Sequence, residues 1–199
     1  MCIVVCSSKH PKYSMLVISN RDEYFDRPTQ GVCYVEPNVI RPMDLARTVH
    51  GTWIGVTIEG KIAVLVNYRE PLGDGKSPIS RGLIPISYLE SQCDSPLQWA
   101  EETKREMDGF KNVGGFSLLF GDLSDDQDGQ GLYIMSSKSE SVLNMKKDIS
   151  IKRFENTLAL SNSTVDSPWP KVLQAEQFLE DIISSDLDGK FPDEGAFFN

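Results

Sequence analysis

The chain has 199 residues, of which 40% are hydrophobic and 25% are charged. That length predicts a single domain, and no apolar run approaches the roughly 18 residues that a membrane-spanning helix needs. Acidic residues number 29 and basic residues 20, so the net charge is -9, and an acidic surface repels the phosphates of nucleic acids. The composition therefore predicts a globular protein without an integral membrane segment and without a nucleic-acid partner.

The N-terminus and the cysteines predict the compartment. Residues 1–20 do not show a charged segment followed by a long apolar core, which a secretory signal would require. The four cysteines have neither C-x-x-C spacing nor a compact framework, a pattern that is typical of reduced thiols; they are Cys2, Cys6, Cys33 and Cys93. We therefore expect a cytoplasmic protein.

The first half of the chain is predicted to consist of strands. Apolar and β-branched runs indicate strands over residues 2–6, 14–19, 52–58 and 61–67, the last two forming a hairpin around Glu59-Gly60. Residues 31–49 are rich in Pro, Asn and Asp and predict an irregular loop.

Helices are predicted next, followed by more strands. A helix over 81–91 precedes a second helix that Ser95 caps and that ends near 108. Strands follow over 116–120, 132–135 and 157–161, and an amphipathic helix over 169–184 turns Val172, Ala175, Leu179 and Ile182 toward the core. The basic group Lys146, Lys147, Lys152 and Arg153 indicates a solvated turn. This order predicts an α+β protein with helices segregated on the faces of its sheets.

Cys2 directly follows the initiator methionine. Removal of Met1 would leave one residue with both a thiol and a free α-amine, whose pKa of about 7.7–8.0 suits a general base near neutral pH. The thiol would be the nucleophile that this base activates. The alternative is an apolar cysteine buried in an edge strand.

Polar residues end three of the predicted strands. Asn20-Arg21-Asp22-Glu23 follows the strand SMLVIS, and Asn67 and Asn162 each end an apolar strand. A carboxylate can orient an N-terminal ammonium, an arginine can bind a substrate carboxylate, and asparagine amides can donate to an oxyanion. The alternatives are a surface salt-bridge cluster and ordinary turn asparagines.

Six ordered motifs carry a resemblance to a known family, over residues 1 to about 185. They are Met1-Cys2-Ile3, the tetrad Asn20-Arg21-Asp22-Glu23, Gly51-Thr52-Trp53-Ile54-Gly55, Asn67-Tyr68-Arg69, Arg81-Gly82-Leu83, and Leu160-Ser161-Asn162-Ser163 with Pro168-Trp169-Pro170-Lys171-Val172. Together they resemble the NRDE-motif family, also called the transport and Golgi organisation protein 2 family.

The resemblance implies a four-layer αββα fold, because this family is similar to N-terminal nucleophile hydrolases of the bile-salt hydrolase and penicillin acylase group. On that likeness Cys2 matches the nucleophile, Asp22 the carboxylate near the α-amine, Asn67 an oxyanion donor and Asn162 the strand-end asparagine, all four converging on one concave site. The ligand-binding residues would be Asn20, Arg21, Glu23, Trp53, Tyr68 and Arg69. No metal site and no required cofactor are expected.

The chain departs from the family pattern in two places. Ser19 stands where the hydrolases have an arginine, and no Tyr-Gly-Thr-Arg strand follows Phe191. We therefore expect one NRDE-type domain over residues 1–199 that is shortened at its C-terminus, lacks its last strands and leaves a sheet edge open.

Two functions follow from the resemblance. The first is ligand binding in intracellular haem trafficking, lipid or acyl-CoA homeostasis and secretory-pathway (Golgi) organisation. Haem would be a cargo, with Cys2, Cys6 and His10 as candidate ligands, and the location would be the cytoplasm, the mitochondrion or the Golgi. The alternative is an N-terminal cysteine amidohydrolase that cleaves linear amides through a Cys2 acyl intermediate.

Overall fold

The computed structural model describes residues 2–69, 77–93, 95–123, 131–138, 150–154 and 156–185. Its strands are β1 (Ile3–Ser7), β2 (Leu16–Asn20), β3 (Thr29–Val35), β4 (Val39–Asp44), β5 (Ile54–Thr57), β6 (Lys61–Asn67), β7 (Phe116–Asp122), β8 (Leu132–Ser136), β9 (Ser150–Arg153) and β10 (Thr157–Leu160). Its helices are α1 (Leu83–Leu89), α2 (Pro96–Glu106) and α3 (Pro170–Ser185), with a short 3-10 turn at Asp108–Phe110.

The strands form two antiparallel sheets. The small sheet has the order β10-β1-β2, and the large sheet runs in chain order from β3 to β9. Every paired neighbour is antiparallel, and β6 and β7 pair along the whole of β6. The predicted α+β class is therefore confirmed, with two antiparallel sheets and three helices in the described part of the chain.

One face of the large sheet packs against α1 and α2 through aromatic side chains. The rings of Tyr88, Trp99 and Phe120 meet edge to face, with centroids 4.9 to 5.3 Å apart. Ser95 caps α2 as predicted, because its hydroxyl accepts the N–H of Gln98 at 3.1 Å. The aromatic cluster fixes the helices to this face.

The opposite face of the large sheet packs against the small sheet through aliphatic side chains. The buried residues of this cluster are Val4, Cys6, Ile62, Val64, Val66, Leu119, Leu132, Ile134, Phe154 and Leu160. Helix α3 packs against β1 and β10, and it buries Val172, Leu179 and Ile183. The layers therefore follow in the order helices, large sheet, small sheet, helix.

Three predictions about local structure were wrong. The loop predicted over 31–49 contains β3 and β4, whose signal is weak because most of β3 is exposed. Lys152 and Arg153 lie in strand β9 rather than in a turn; Lys146 and Lys147 lie outside the described residues. Helix α3 buries Ile183 and leaves Ile182 44% exposed, because the helix lies rotated slightly from the predicted orientation.

The free edge of β10 is partly covered. The carboxylate of Glu176 in α3 accepts the backbone N–H of Ala159 at 2.8 Å, which removes one donor from that edge. The predicted shortening concerns residues after Phe191, which lie outside the described residues. Within the described ranges, no helix is both long and apolar enough to cross a bilayer.

Candidate functional site

Strand register places Cys2 between the polar ends of β2 and β10. Val4 pairs with Leu160 and Ile3 pairs with Asn20, so one further antiparallel step sets Cys2 beside Asn162 on one side and Arg21 on the other. The hydroxyl of Ser161 donates to the carbonyl oxygen of Cys2 at 2.6 Å, which ties the two strand ends together. The sequence motifs at these strand ends therefore meet because β1 is the central strand of the small sheet.

A cavity of about 530 Å³ lies at this end of the two sheets, within the range of small-molecule sites. It is lined by Cys2, Arg21, Glu23, Arg27, Asp44, Ala46, Arg47, Gly51, Thr52, Trp53, Leu65, Asn67, Ser77, Ser80, Arg81 and Gly82. Five of the predicted site residues are in this set, namely Cys2, Arg21, Glu23, Trp53 and Asn67.

Other predicted residues line a neighbouring cavity of about 200 Å³. Its walls are Tyr68, Arg69, Asn162, Ser163, Thr164, Ser167 and Trp169. The amide nitrogen of Asn162 donates to the carbonyl oxygen of Asn67, and the backbone N–H of Arg69 donates to the carbonyl oxygen of Asn162 at 2.9 Å. These contacts form a wall between the cavities, so Asn67 faces one cavity and Asn162 the other.

The amide of Asn162 has a defined orientation. Because its partner is a carbonyl oxygen, the nitrogen must face Asn67 and the oxygen must face away. That oxygen has no hydrogen-bond partner among the described residues, and Asn162 is only 8% exposed. An unsatisfied buried acceptor of this kind is able to receive an N–H or O–H donor.

Asn20 and Asp22 line neither of these two cavities. Asn20 ends β2 opposite Ile3 and is exposed. Asp22 is also exposed, and the N-terminal ammonium holds the pKa of its carboxyl below the ordinary value, first by a hydrogen bond and then by its charge. Asp22 is therefore a carboxylate at neutral pH that lies outside the walls of both cavities.

The large cavity is rich in positive charge, although the chain as a whole carries a charge of -9. Its lining includes four arginines, Arg21, Arg27, Arg47 and Arg81, and two carboxylates, Glu23 and Asp44. These residues leave two positive charges in excess. Such a concentration of guanidinium groups suits an anionic ligand.

Arg27 and Asp44 form the tightest ion pair of the cavity. The Asp44 carboxylate accepts from Arg27 Nη2 at 2.6 Å and from Nε at 3.0 Å. Burial raises the pKa of Asp44, but the hydrogen bonds from Arg27 and from the N–H of Ala46, with the charges of Arg27 and Arg21, outweigh it and hold the pKa below its ordinary value. Asp44 is therefore a carboxylate at neutral pH.

Arg21 lies over an aromatic ring. Its guanidinium carbon is 4.1 Å from the centroid of the Trp53 ring, and its Nη2 is 3.8 Å from a carboxylate oxygen of Glu23. The same carboxylate oxygen is 3.7 Å from Nε of Arg27. This stack fixes a flat cationic surface in the wall of the cavity.

The sequence did not reveal several lining residues. Arg27, Asp44, Arg47 and Ser80 were not predicted, and Arg81 was noted only as part of a motif. Arg27 carried a usable signal, because it follows Glu23 by four residues and pairs with it. Asp44 and Arg47 lie in a stretch that was predicted to be an irregular loop.

Cys6 and His10 do not join Cys2 in the cavity wall. Cys6 is buried between the sheets, and burial, with a smaller effect from Glu176, raises the pKa of its thiol to about 12. His10 is buried rather than exposed, and its Nδ1 accepts the backbone N–H groups of Lys12 and Tyr13 at 3.1 Å. Of the three candidate haem ligands, Cys2 alone lines the cavity.

The described portions of the chain contain no cluster of three or more His, Cys, Asp and Glu side chains that could hold a metal ion. Fold and site together define an α+β protein with two stacked antiparallel sheets and a cationic cavity at the strand ends.

Comparison with known proteins identifies the family. The family model of Transport and Golgi organisation 2 matches residues 1–194, so the chain belongs to that family, as its motifs predicted. An uncharacterised protein of Saccharomyces cerevisiae is 30% identical over 94% of this chain and 64% of its own length. The Transport and Golgi organization protein 2 homologs of Homo sapiens and Bos taurus are each 28% identical over 85% of this chain and 58% of their own lengths. The chain thus spans about three-fifths of these curated relatives.

Proposed function

We propose that this protein binds an anionic, amphipathic small molecule in the arginine-lined cavity and acts as a carrier. The single observation behind this proposal is the surplus of arginines in a cavity that also presents Trp53 and Leu65. Haem and acyl-CoA both combine acidic groups with a large apolar part, so both match that lining. The corresponding roles are intracellular haem trafficking, lipid homeostasis and Golgi organisation, with sites of action in the cytoplasm, the mitochondrion or the Golgi.

Haem would bind through two kinds of contact. Its propionates would pair with guanidinium groups, and the thiol of Cys2 is available as an axial ligand. An acyl-CoA would use the same cationic lining for its phosphates and would not need Cys2. The two ligands therefore differ in their dependence on one side chain.

Titration with haem, followed at the Soret band, tests the carrier function. We expect a saturable spectral change in the parent protein, a displaced Soret maximum in Cys2→Ala, and no such displacement in the control Cys33→Ala, whose thiol lies on strand β3. Excess palmitoyl-CoA should compete with haem for the cavity. If neither haem nor palmitoyl-CoA binds saturably, the carrier proposal is wrong.

We also infer that the fold is that of the N-terminal nucleophile hydrolases. This inference is supported by the two antiparallel sheets stacked between helices, with the N-terminal strand β1 in the centre of the small sheet. An experimental structure that is superposed on such a hydrolase would test the inference.

The second candidate function is an N-terminal cysteine amidohydrolase. It is favoured by Cys2 and Asn67 lining one cavity, with the side-chain amide of Asn162 hydrogen-bonded to the backbone carbonyl of Asn67. Cys2 would attack an amide carbonyl, its α-amine would take the thiol proton and pass it to the leaving amine, and water would then hydrolyse the thioester.

A comparison of two N-terminal forms tests this alternative. Intact mass would distinguish protein that retains Met1 from protein that begins at Cys2, and both forms would be assayed on linear acyl amides. Turnover by the Cys2 form, with none by the Met1 form or by Cys2→Ala, would establish a hydrolase. Equal inactivity of all three forms would leave the carrier function alone.

A further inference from the structure

Arg47 differs from Arg21 and Arg27 in what balances its charge. Arg21 and Arg27 both lie within ion-pair distance of Glu23. Arg47 instead donates from Nη1 and Nη2 to the carbonyl oxygen of Ser77, at 3.1 and 3.2 Å. That carbonyl is neutral, and Arg47 forms no ion pair with any residue that the structure describes. The protein therefore holds the guanidinium in place without neutralising it.

The same guanidinium keeps donors for a ligand. A guanidinium has five N–H donors in a planar fork, and the Ser77 carbonyl uses two of them. Among the described residues no acceptor takes the other three donors, which are enough to bind two oxygens of a phosphate or of a carboxylate. Arg47 is half-buried in the cavity wall, where its charge is screened less than it would be in open solvent.

Ser80 adds a hydroxyl to this part of the cavity. Its Oγ makes no hydrogen bond within the described parts of the chain, so it can donate to an anion. The loops that carry Arg47 and Ser80 cross at two glycines, where a Cβ on Gly82 would lie 2.9 Å from the Cα of Gly51. The N–H of Thr52 donates to the carbonyl oxygen of Gly82 at 3.0 Å and holds the crossing together.

We propose that Arg47 and Ser80 form an anion subsite that takes the acidic group of the ligand, a phosphate or a carboxylate, with the Ser77 carbonyl holding the Arg47 guanidinium in place. The rest of the ligand then occupies the part of the cavity lined by Trp53 and Leu65. This assignment deepens the proposed carrier function and rests on it for the body of the ligand. It selects ligands with a terminal acidic group and an apolar or aromatic body.

Inorganic phosphate and acetate are the probes that test the subsite directly. We expect phosphate to raise the Tm of the parent protein saturably, beyond the effect of sodium chloride at equal ionic strength. Acetate separates the two chemistries, because an equal response to acetate indicates a carboxylate site and a weaker one a phosphate site. If neither anion has an effect beyond that of sodium chloride, the subsite does not exist.

Three variants distinguish an effect of the Arg47 charge from a purely structural role of this side chain. Arg47→Gln should weaken the apparent affinity for the responding anion at least tenfold, the cost expected for a lost charged hydrogen bond. Arg47→Lys keeps the charge but loses the planar fork, so its affinity should fall less than that of Arg47→Gln. Arg105→Gln, on the exposed side of α2, is the matched control and should change nothing. If Gln and Lys at position 47 lose affinity equally, Arg47 merely fastens the loops and the inference is wrong.

Haem and palmitoyl-CoA binding to the same variants distinguishes this inference from the carrier function. If Arg47→Gln binds both as tightly as the parent does, the anion subsite is wrong and the carrier function stands. If neither ligand binds the parent while the anion response still depends on Arg47, the carrier function is wrong and the subsite stands.

Discussion

The space between the two sheets is closed in its middle and open at one end, and Cys6 and Cys2 lie in these two environments. Cys6 lies in β1 and Cys2 directly precedes this strand; an extended chain places residues four apart on the same face. Cys6 is 1% exposed among aliphatic side chains, whereas Cys2 lines the cavity. Aliphatic side chains fill the middle because they interlock without polar groups. Guanidinium groups require partners or water, and the open end provides both.

The largest difference between the open end and the closed middle should be in the reactivity of the Cys2 and Cys6 thiols. Because burial raises the pKa of Cys6 to about 12, we expect it to form about a thousandfold less thiolate at pH 8 than an ordinary thiol. Brief treatment of the native protein with iodoacetamide, followed by peptide mass spectrometry, should show alkylation at Cys2 and none at Cys6. Both should react in denaturant, and equal native reactivity would contradict the comparison.

Truncation in the closed middle should destabilise the fold without affecting the cavity. Leu119 is fully buried between the sheets, so we expect Leu119→Ala to lower the free energy of unfolding by about 2–5 kcal/mol. Leu173→Ala, at a position 53% exposed on α3, is the control and should cost less than about 1 kcal/mol. Urea denaturation measures both; similar losses in the two variants would contradict the assigned core.

The smallest effect should come from the ion pair in the open end. The pKa of Asp44 is lowered in the folded state, so its ionised form stabilises the fold above the unfolded pKa of about 3.9, and that contribution is lost as the pH falls through the folded pKa. Asp44→Asn should cost at most about 1 kcal/mol at pH 7, because solvent screens the pair.

Urea denaturation from pH 7 to pH 3 measures this penalty. We expect the difference between parent and Asp44→Asn to shrink toward zero at the acidic end. A difference that stays constant across this range would show that Asp44 acts through packing rather than through its charge.

The strands that were predicted correctly are those that bury a face. The run KIAVLVN gave the bounds of β6 without error, because nearly every residue of that strand is buried. Strand β3 was missed because its first four residues are exposed. An exposed edge strand needs no alternating apolar pattern. The basic residues of β9 hid that strand for a similar reason, since its last two positions face solvent.

The candidate site was likewise predicted in part and missed in part. The sequence shows that polar residues follow the apolar strands, and this pattern, together with the family resemblance, predicted one site formed by Cys2, Asp22, Asn67 and Asn162. That Asn162 lines a second cavity could not be predicted from the sequence, because it depends on the hydrogen bond from its side chain to the carbonyl of Asn67. A contact between residues 95 positions apart leaves no local trace in either segment.

The charge of the cavity was likewise decided by tertiary structure. Arg27, Arg47 and Arg81 come from three loops that are separated along the chain, and each is an ordinary surface arginine in its local sequence. Two of these loops meet because Gly51 and Gly82 allow their backbones to touch. Local sequence determines which face of a strand or helix is apolar, since that depends only on the spacing of apolar residues along the chain. A cationic cavity in an acidic chain arises only when distant loops are brought together.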